Sequence, residues 1–142
     1  MKLYDSNQTQ IKMKASELRI GNWVNVRQYP YENEPYQISS LSIDNTYTFK
    51  FKGDIKGCFA TSIINPIPLT EEWLLKFGFK LMDTNSDGGH HFHILIVGDL
   101  RFLTPFEDCS EVSLDGLSMA VYYVHQLQNL YFALTKKELE LK

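Results

Sequence analysis

The residues best suited to chemistry in this chain are the histidines of GGHHFHILIV, at 88–97. Alternate side chains of a β-strand share a face, so His91 and His93 would project to the same side. Two imidazoles spaced in this way can bind zinc or iron, provided that a third ligand completes the site. The candidates for that ligand are Asp83, Asp87 and His125. The segment therefore supports the hypothesis of a metal-dependent enzyme that uses His91 and His93.

A simpler interpretation of the same segment is a β-strand that begins with histidines. Apolar residues follow at once, and Gly98-Asp99 is typical of a two-residue hairpin turn into LRFL. With this turn, Leu95 would lie opposite Phe102. His93 would then lie opposite Thr104. Because the spacing fixes no third ligand, we favour a strand without a metal and expect no cofactor.

A second candidate site is the basic stretch YTFKFKGDIK, at 47–56. Lys50, Lys52 and Lys56 could contact nucleic-acid phosphates. Proteins that bind single strands place aromatic and cationic side chains in one groove. Here the alternation puts Lys50 and Lys52 on one face and the aromatic residues on the other, which is typical of a half-buried strand with a solvated lysine face. A nucleic-acid-associated accessory domain is therefore the alternative function.

A third candidate site lies near the end of the chain, where the pattern predicts an amphipathic helix over 125–134. Its apolar stripe consists of Leu127, Leu130, Tyr131 and Leu134. The uncharged amides outside this stripe are Gln126, Gln128 and Asn129. Such residues usually face water, but an amide costs less to desolvate than a charge does. They are our candidate partner-binding residues.

Composition limits the class of protein. A chain of 142 residues is long enough for one domain or two small subdomains, and its net charge of −3 argues against broad electrostatic binding to nucleic acid or anionic membrane. Cys58 and Cys109 lack a metal-binding spacing and are expected to be free thiols in a reducing compartment. The start of the chain lacks the pattern of a signal peptide, and no apolar run is long enough to span a bilayer. We therefore expect a cytoplasmic protein that does not bind membranes.

Hydrophobic patterning and turn residues predict an α+β protein that is mostly β. Residues 1–12 are a polar extension, and Met13 is a possible second start. Residues 13–66 contain four or five short strand patterns, which predict a small SH3-like β-barrel. In 67–142 we predict a short helix over 70–77, an antiparallel meander and the C-terminal helix. The spacing of Thr135 and Glu138 would allow a further helical turn to start there.

Three stretches resemble one protein family: MKASELRIGNWV at 13–24, INPIPLTEEWLLKFGF at 64–79, and VHQLQNLYFALTKKELEL at 124–141. The family consists of small uncharacterised proteins of gut bacteria and their prophages or related mobile elements. The resemblance implies a phage-related accessory protein that binds another molecule, and it implies no catalytic residue. The histidine-rich segment lies outside these stretches.

Together these observations predict a non-enzymatic interaction protein without catalytic residues. Its expected partner is another protein, and nucleic acid is the alternative. The metal-dependent enzyme that uses His91 and His93 ranks third. The sequence leaves the oligomeric state open.

Overall fold

The protein is described by a computed structural model. The residues it describes are 13–44, 46–85, 91–104, 109–116 and 119–142, without the side chains of 83–85 and 91–94. The chain divides into two compact units, Met1–Ile67 and Pro68–Lys142. Each unit contains an antiparallel sheet of five strands, so the protein is α+β and mostly β, as predicted. The predicted polar extension 1–12 lies outside the described residues. The possible second start at Met13 stays a prediction.

The first unit is one sheet with the strand order β4-β3-β2-β1-β5. Its strands are β1 (Trp23–Val26), β2 (Pro35–Ile43), β3 (Tyr47–Phe51), β4 (Phe59–Ala60) and β5 (Ile64–Asn65). Two 3-10 helices, Ala15–Glu17 and Thr61–Ile63, accompany it. Val24 and Val26 are fully buried and alternate with partly exposed residues, as expected for a strand with one face on the core.

The predicted barrel is not closed. β4 and β5 are the two edges of the sheet, and they pair with β3 and β1 respectively. The described strands contain no ladder between β4 and β5. Each has only two residues, and the 3-10 helix Thr61–Ile63 between them carries the chain from one edge to the other. The backbone of Thr61–Ile63 follows a helical path, so it cannot continue either edge ladder.

A β-bulge in β2 determines which residues face the core of the first unit. The register shifts between Ile38, which pairs with Phe51, and Ser40, which pairs with Lys50. One extra residue on β2 therefore lets Ile38 and Leu41 both pair with phenylalanines of β3, although they are three positions apart. Ile38 is fully buried and Leu41 packs against the same core.

The second unit contains the predicted meander, with the order β10-β9-β8-β7-β6. Its strands are β6 (Lys80–Asn85), β7 (His91–Val97), β8 (Leu100–Thr104), β9 (Val112–Leu114) and β10 (Ala120–Val121). Gly98 and Asp99 form the two-residue turn between β7 and β8. The register predicted from that turn is confirmed, since Leu95 pairs with Phe102. His93 pairs with Thr104, also as predicted.

Helix α1 (Glu71–Lys76) begins and ends where its flanking residues predict. The Thr70 hydroxyl accepts a hydrogen bond from the Trp73 N–H at 3.3 Å, which satisfies one of the free donors of the first turn. The chain leaves the helix through Gly78, whose φ of +90° suits glycine because it lacks a Cβ. Leu74 and Phe77 are fully buried.

Helix α2 (Val124–Thr135) buries only part of the predicted stripe, because Leu127 is buried and Leu130 and Tyr131 are half-buried. Its buried residues are Val124, His125, Leu127 and Gln128, whereas Leu134 is 43% exposed. The prediction of a further helical turn after Thr135 is also wrong. Lys136 adopts a left-handed conformation with φ of +63°, and the chain continues without a helix to Lys142, whose N–H donates to the Lys76 carbonyl at 2.7 Å. Leu139 in this C-terminal tail is buried, and the Lys142–Lys76 hydrogen bond ties the end of the tail to α1 of the same unit.

Candidate functional site

The two candidate metal ligands lie on β7, and the register brings one proposed third ligand opposite His93. His93 pairs with Asp83 of β6 on one side and with Thr104 of β8 on the other. His91 pairs with Asn85. Among the residues that the structure describes, no group of three or more His, Cys, Asp or Glu side chains is arranged to hold a metal. The side chains of His91 and His93 lie outside the description, so the metal site stays a prediction.

The remaining candidate ligand of the sequence, His125, is a core residue of the second unit. It lies in the first turn of α2 and is only 1% exposed. Its ring stacks on that of Tyr123 with centroids 6.1 Å apart and planes at 15°. This position explains the histidine through packing. Asp87, the last candidate, falls outside the described residues.

The three lysines of the basic stretch are all exposed, while the aromatic residues between them are not. Phe49 is fully buried and Phe51 is 6% exposed, whereas Lys50 of β3 and Lys52, just after β3, are exposed. The predicted separation of the aromatic face from the lysine face is confirmed. A nucleic-acid base would therefore find no phenylalanine ring to stack on beside these lysines. Contact of Lys50, Lys52 and Lys56 with phosphates stays a prediction.

The three amides of α2 have different environments. Gln126 caps its own helix, because its Oε1 accepts from the Tyr122 N–H at 2.9 Å and from the Tyr123 N–H at 3.2 Å. Gln128 is 1% exposed, so its predicted availability to water or to a partner is wrong. Asn129 is half-buried and interacts within the structure. The sequence pattern could not show the burial of Gln128, because an amide on the buried face interrupts the apolar pattern that marks this face. A partner-binding role for Gln126 and Asn129 stays a prediction.

Sequence reasoning missed an accessible group of tyrosines in the first unit. Tyr29 and Tyr31 lie in the loop 27–34 between β1 and β2, and Tyr36 lies at the start of β2. Tyr29 is 83% exposed, and the other two are half-buried. The rings of Tyr31 and Tyr36 meet edge to face at 5.8 Å between centroids. We call Tyr29, Tyr31 and Tyr36 the tyrosine surface.

Two buried phenylalanines pack against Tyr31 and Tyr36 of the tyrosine surface. Phe59 of β4 meets Tyr31 edge to face at 6.0 Å, and Phe51 of β3 meets Tyr36 at 6.2 Å. Phe51 and Phe59 also contact each other at 5.6 Å. Both contacts of Tyr31 have the favoured edge-to-face geometry, and the four rings from the loop 27–34, β2, β3 and β4 form one cluster.

Carboxylate charges act on Tyr36, one residue of the tyrosine surface. Partial burial, followed by the nearby Glu34 carboxylate, raises the pKa of Tyr36 above its ordinary value. Glu34 also makes a hydrogen bond with Tyr36, and Tyr31 and Asp54 contribute in the same direction. Glu32 is exposed in the same loop. Within the described part of the chain, none of these three carboxylates forms an ion pair.

The sequence contains a weak signal for this surface. The segment YPYENEPY, at 29–36, places three tyrosines among acidic residues in a turn-rich loop. Its prolines and acidic residues predict a surface loop, and packing in the core does not explain a tyrosine in such a loop. The approach of Asp54 and Phe59 to this loop depends on the pairing of β2, β3 and β4, which the sequence alone does not reveal.

Comparisons with known proteins found no match for this chain among protein-family models, curated proteins or solved structures. In the described residues, no helix combines the length and the apolar character that crossing a membrane requires.

Proposed function

We propose that this protein acts by non-enzymatic macromolecular interaction, as an accessory protein of the phage or mobile-element type, and that its partner is another protein. The observation that carries the proposal is the tyrosine surface, in which Tyr29 is 83% exposed and Tyr31 packs edge to face on Tyr36 and Phe59. Tyrosine is enriched at protein interfaces because it offers a large apolar ring and a hydroxyl with little rotamer freedom to lose.

Rigidity of the cluster supports the proposal. Tyr31 is fixed by two edge-to-face contacts, with Tyr36 and with Phe59. A side chain that is already ordered loses little conformational entropy when a partner covers it. Half-buried, well-held aromatic rings are therefore efficient anchors for binding.

We propose that the protein acts in the cytoplasm. Cys58 is an exposed free thiol and Cys109 a buried one. Thiols persist in this form in a reducing compartment.

Association with nucleic acid is the alternative, and the exposure of Lys50, Lys52 and Lys56 favours it. The two functions differ in their response to salt. Binding to a nucleic acid weakens steeply with salt, because each neutralised phosphate releases a counterion. Binding through aromatic rings depends on salt much less.

Affinity capture from a host lysate with the full chain, with and without nuclease treatment, tests the proposal. We expect a discrete protein partner that is retained after nuclease treatment and at high salt. Loss of all captured material after nuclease treatment would overturn the protein-partner proposal and favour nucleic-acid association. The next variants would then be Lys50→Gln, Lys52→Gln and Lys56→Gln.

A further inference from the structure

Helix α1 of the second unit carries both signs of charge on one exposed face. At 3.6 residues per turn, its four residues Glu71, Glu72, Leu75 and Lys76 fall within an arc of about 140°. Together with Lys142 of the C-terminal tail, they line an open groove of about 560 Å³. Leu75 is 50% exposed, so the groove combines a large accessible apolar side chain with four charged ones.

The position of Lys142 is set by two contacts at the C-terminal end of α1. Its N–H donates to the Lys76 carbonyl at 2.7 Å. Its side chain packs against Gly78, where an added Cβ would lie 3.0 Å from the Lys142 Cγ. Gly78 follows Leu75 by three residues, and Glu71 precedes it by four. The side chain of Lys142 and the carboxylate of Glu71 therefore flank Leu75, each about one helical turn away.

Two of the four charged side chains in the groove are not paired within the protein. Glu72 and Lys76 form an ion pair at 3.2 Å, and the Lys76 Nζ also lies 5.5 Å from the centre of the Trp73 ring. In the described part of the chain, neither Glu71 nor Lys142 forms an ion pair. The groove therefore offers one unpaired negative charge at one end and one unpaired positive charge at the other.

We propose that this groove binds the same groove of a second copy of the chain, with the two α1 helices antiparallel. In a two-fold symmetric interface the same patch serves both copies, so the patch must be complementary to itself. A two-fold axis at Leu75 brings the two Leu75 side chains into contact. The same axis brings Glu71 of each copy to Lys142 of the other, because these residues lie about 6 Å before and about 4.5 Å after Leu75 along the helix.

The charge pattern of the groove selects a second copy over partners with one sign of charge. A basic peptide would meet a like charge at Lys142, and a nucleic acid or an acidic peptide would meet one at Glu71. The second copy places opposite charges at both ends. This inference concerns the second unit, so it goes beyond the proposed function and does not depend on the tyrosine surface.

The small contact area predicts a weak dimer. Helix α1 has six residues and is about 9 Å long. Interfaces that bury less than about 1,200 Å² are typical of weak or transient association. We therefore expect a dissociation constant of about 0.1–1 mM.

Sedimentation equilibrium of the full chain, at concentrations up to about 1 mM, tests self-association at this expected affinity. A reducing agent is present throughout, because Cys58 is an exposed free thiol that could otherwise link two chains. Amide spectra of the ¹⁵N-labelled chain over the same range locate the contact. We expect concentration-dependent shifts in the signals of 71–78 and 140–142.

Two single variants, Glu71→Lys and Lys142→Glu, test the charge pairing. Either variant alone puts like charges at both ends of its two-fold dimer, which should weaken self-association about fivefold or more. In an equimolar mixture, a dimer of one variant with the other has opposite charges at both ends again. Its dissociation constant should return to within about twofold of the wild-type value.

General attraction between the two variants cannot explain such a recovery. Each substitution changes the net charge of −3 by two units, so both variant chains remain negatively charged. Asp99→Lys and Lys50→Glu make the same charge changes at exposed positions outside the groove. These controls should leave self-association within about twofold of wild type.

A further variant, Leu75→Ser, tests the apolar contact. It should weaken self-association about fivefold or more, because the two Leu75 side chains lose their mutual burial. Leu75 is 50% exposed, so the variant keeps its fold, which unchanged amide signals of the buried residues at low concentration would verify.

The inference is overturned if the wild-type chain is monomeric at about 1 mM, or if the concentration-dependent shifts lie elsewhere, such as on the edge strand β6. A mixture of Glu71→Lys and Lys142→Glu that associates no better than either variant alone would also overturn it. So would equal association of wild type and Leu75→Ser. These outcomes leave the capture experiment unaffected, because the tyrosine surface lies in the first unit.

Discussion

Phe59 gives the most specific prediction about the first unit, because two ring contacts depend on it. It is 3% exposed and meets Tyr31 at 6.0 Å and Phe51 at 5.6 Å between ring centroids. Phe59→Leu keeps an apolar side chain, for which a buried swap costs under about 1.5 kcal/mol. It also removes two aromatic pairs, each of which contributes about 0.5–1.5 kcal/mol beyond burial. We expect the free energy of unfolding to fall by about 3 kcal/mol.

Phe49→Leu is the matched control. Phe49 is fully buried in the same core, and it forms no ring pair with the described aromatic residues. Its substitution should therefore cost about 1 kcal/mol, the swap alone. A Trp73→Phe background leaves Trp23 as the tryptophan reporter of the first unit in urea unfolding. If Phe59→Leu and Phe49→Leu differ by less than about 0.5 kcal/mol, the ring contacts do not stabilise the unit and the reasoning is refuted.

Three further predictions concern the tail, one titrating group and the histidines. Leu139→Ala should lower the free energy of unfolding of the second unit by about 2–4 kcal/mol, because Leu139 is 4% exposed. An unchanged midpoint in urea unfolding would show that packing of Leu139 does not stabilise the unit. Tyr36, whose pKa is raised in the folded state by partial burial and Glu34, contributes stability that is fully present below pH 10.0 and is lost as the pH rises through its folded pKa. Glu34→Gln should lower that pKa, as measured by tyrosinate absorbance, and an unshifted titration would contradict the placement of Glu34. If His91 and His93 bind a metal, EDTA lowers the Tm, and His91→Ala or His93→Ala abolishes the EDTA effect; no response to EDTA would eliminate the metal hypothesis.

The local parts of the fold could be predicted from the sequence because their signals are local. Gly98-Asp99 fixes a two-residue turn, and a turn of known length fixes the register, so the pairing of Leu95 with Phe102 follows. Thr70 and Gly78 set the ends of α1 through capping. Each of these features needs information from only a few adjacent residues.

The features that could not be predicted depend on residues far apart in sequence. Gln128 breaks the apolar pattern of α2 because it is an amide on the buried face, and that burial depends on tertiary packing. The bulge between Ile38 and Ser40 changes which residues of β2 face the core, and period-2 alternation cannot show it. Whether β4 and β5 pair with each other is likewise a matter of tertiary structure.

The tyrosine surface was missed for the same reason. A tyrosine in a polar loop has no periodic pattern, so it is indistinguishable from a solvated side chain at the sequence level. Phe59 approaches Tyr31 of the loop 27–34, and Asp54 approaches Tyr36, only once β2, β3 and β4 have paired. The candidate site therefore becomes visible in the structure, whereas the histidine and lysine candidates were visible in the sequence.

The most direct test of the interaction proposal compares two exposed tyrosines in nuclease-treated affinity capture. Tyr29 belongs to the tyrosine surface, and Tyr122, which is 47% exposed, lies in the second unit. Quantitative mass spectrometry of the captured partner should show that Tyr29→Ser reduces its yield about twofold to fivefold, whereas Tyr122→Ser leaves it unchanged. An equal yield with wild type and Tyr29→Ser, or a loss confined to Tyr122→Ser, would contradict binding through the tyrosine surface.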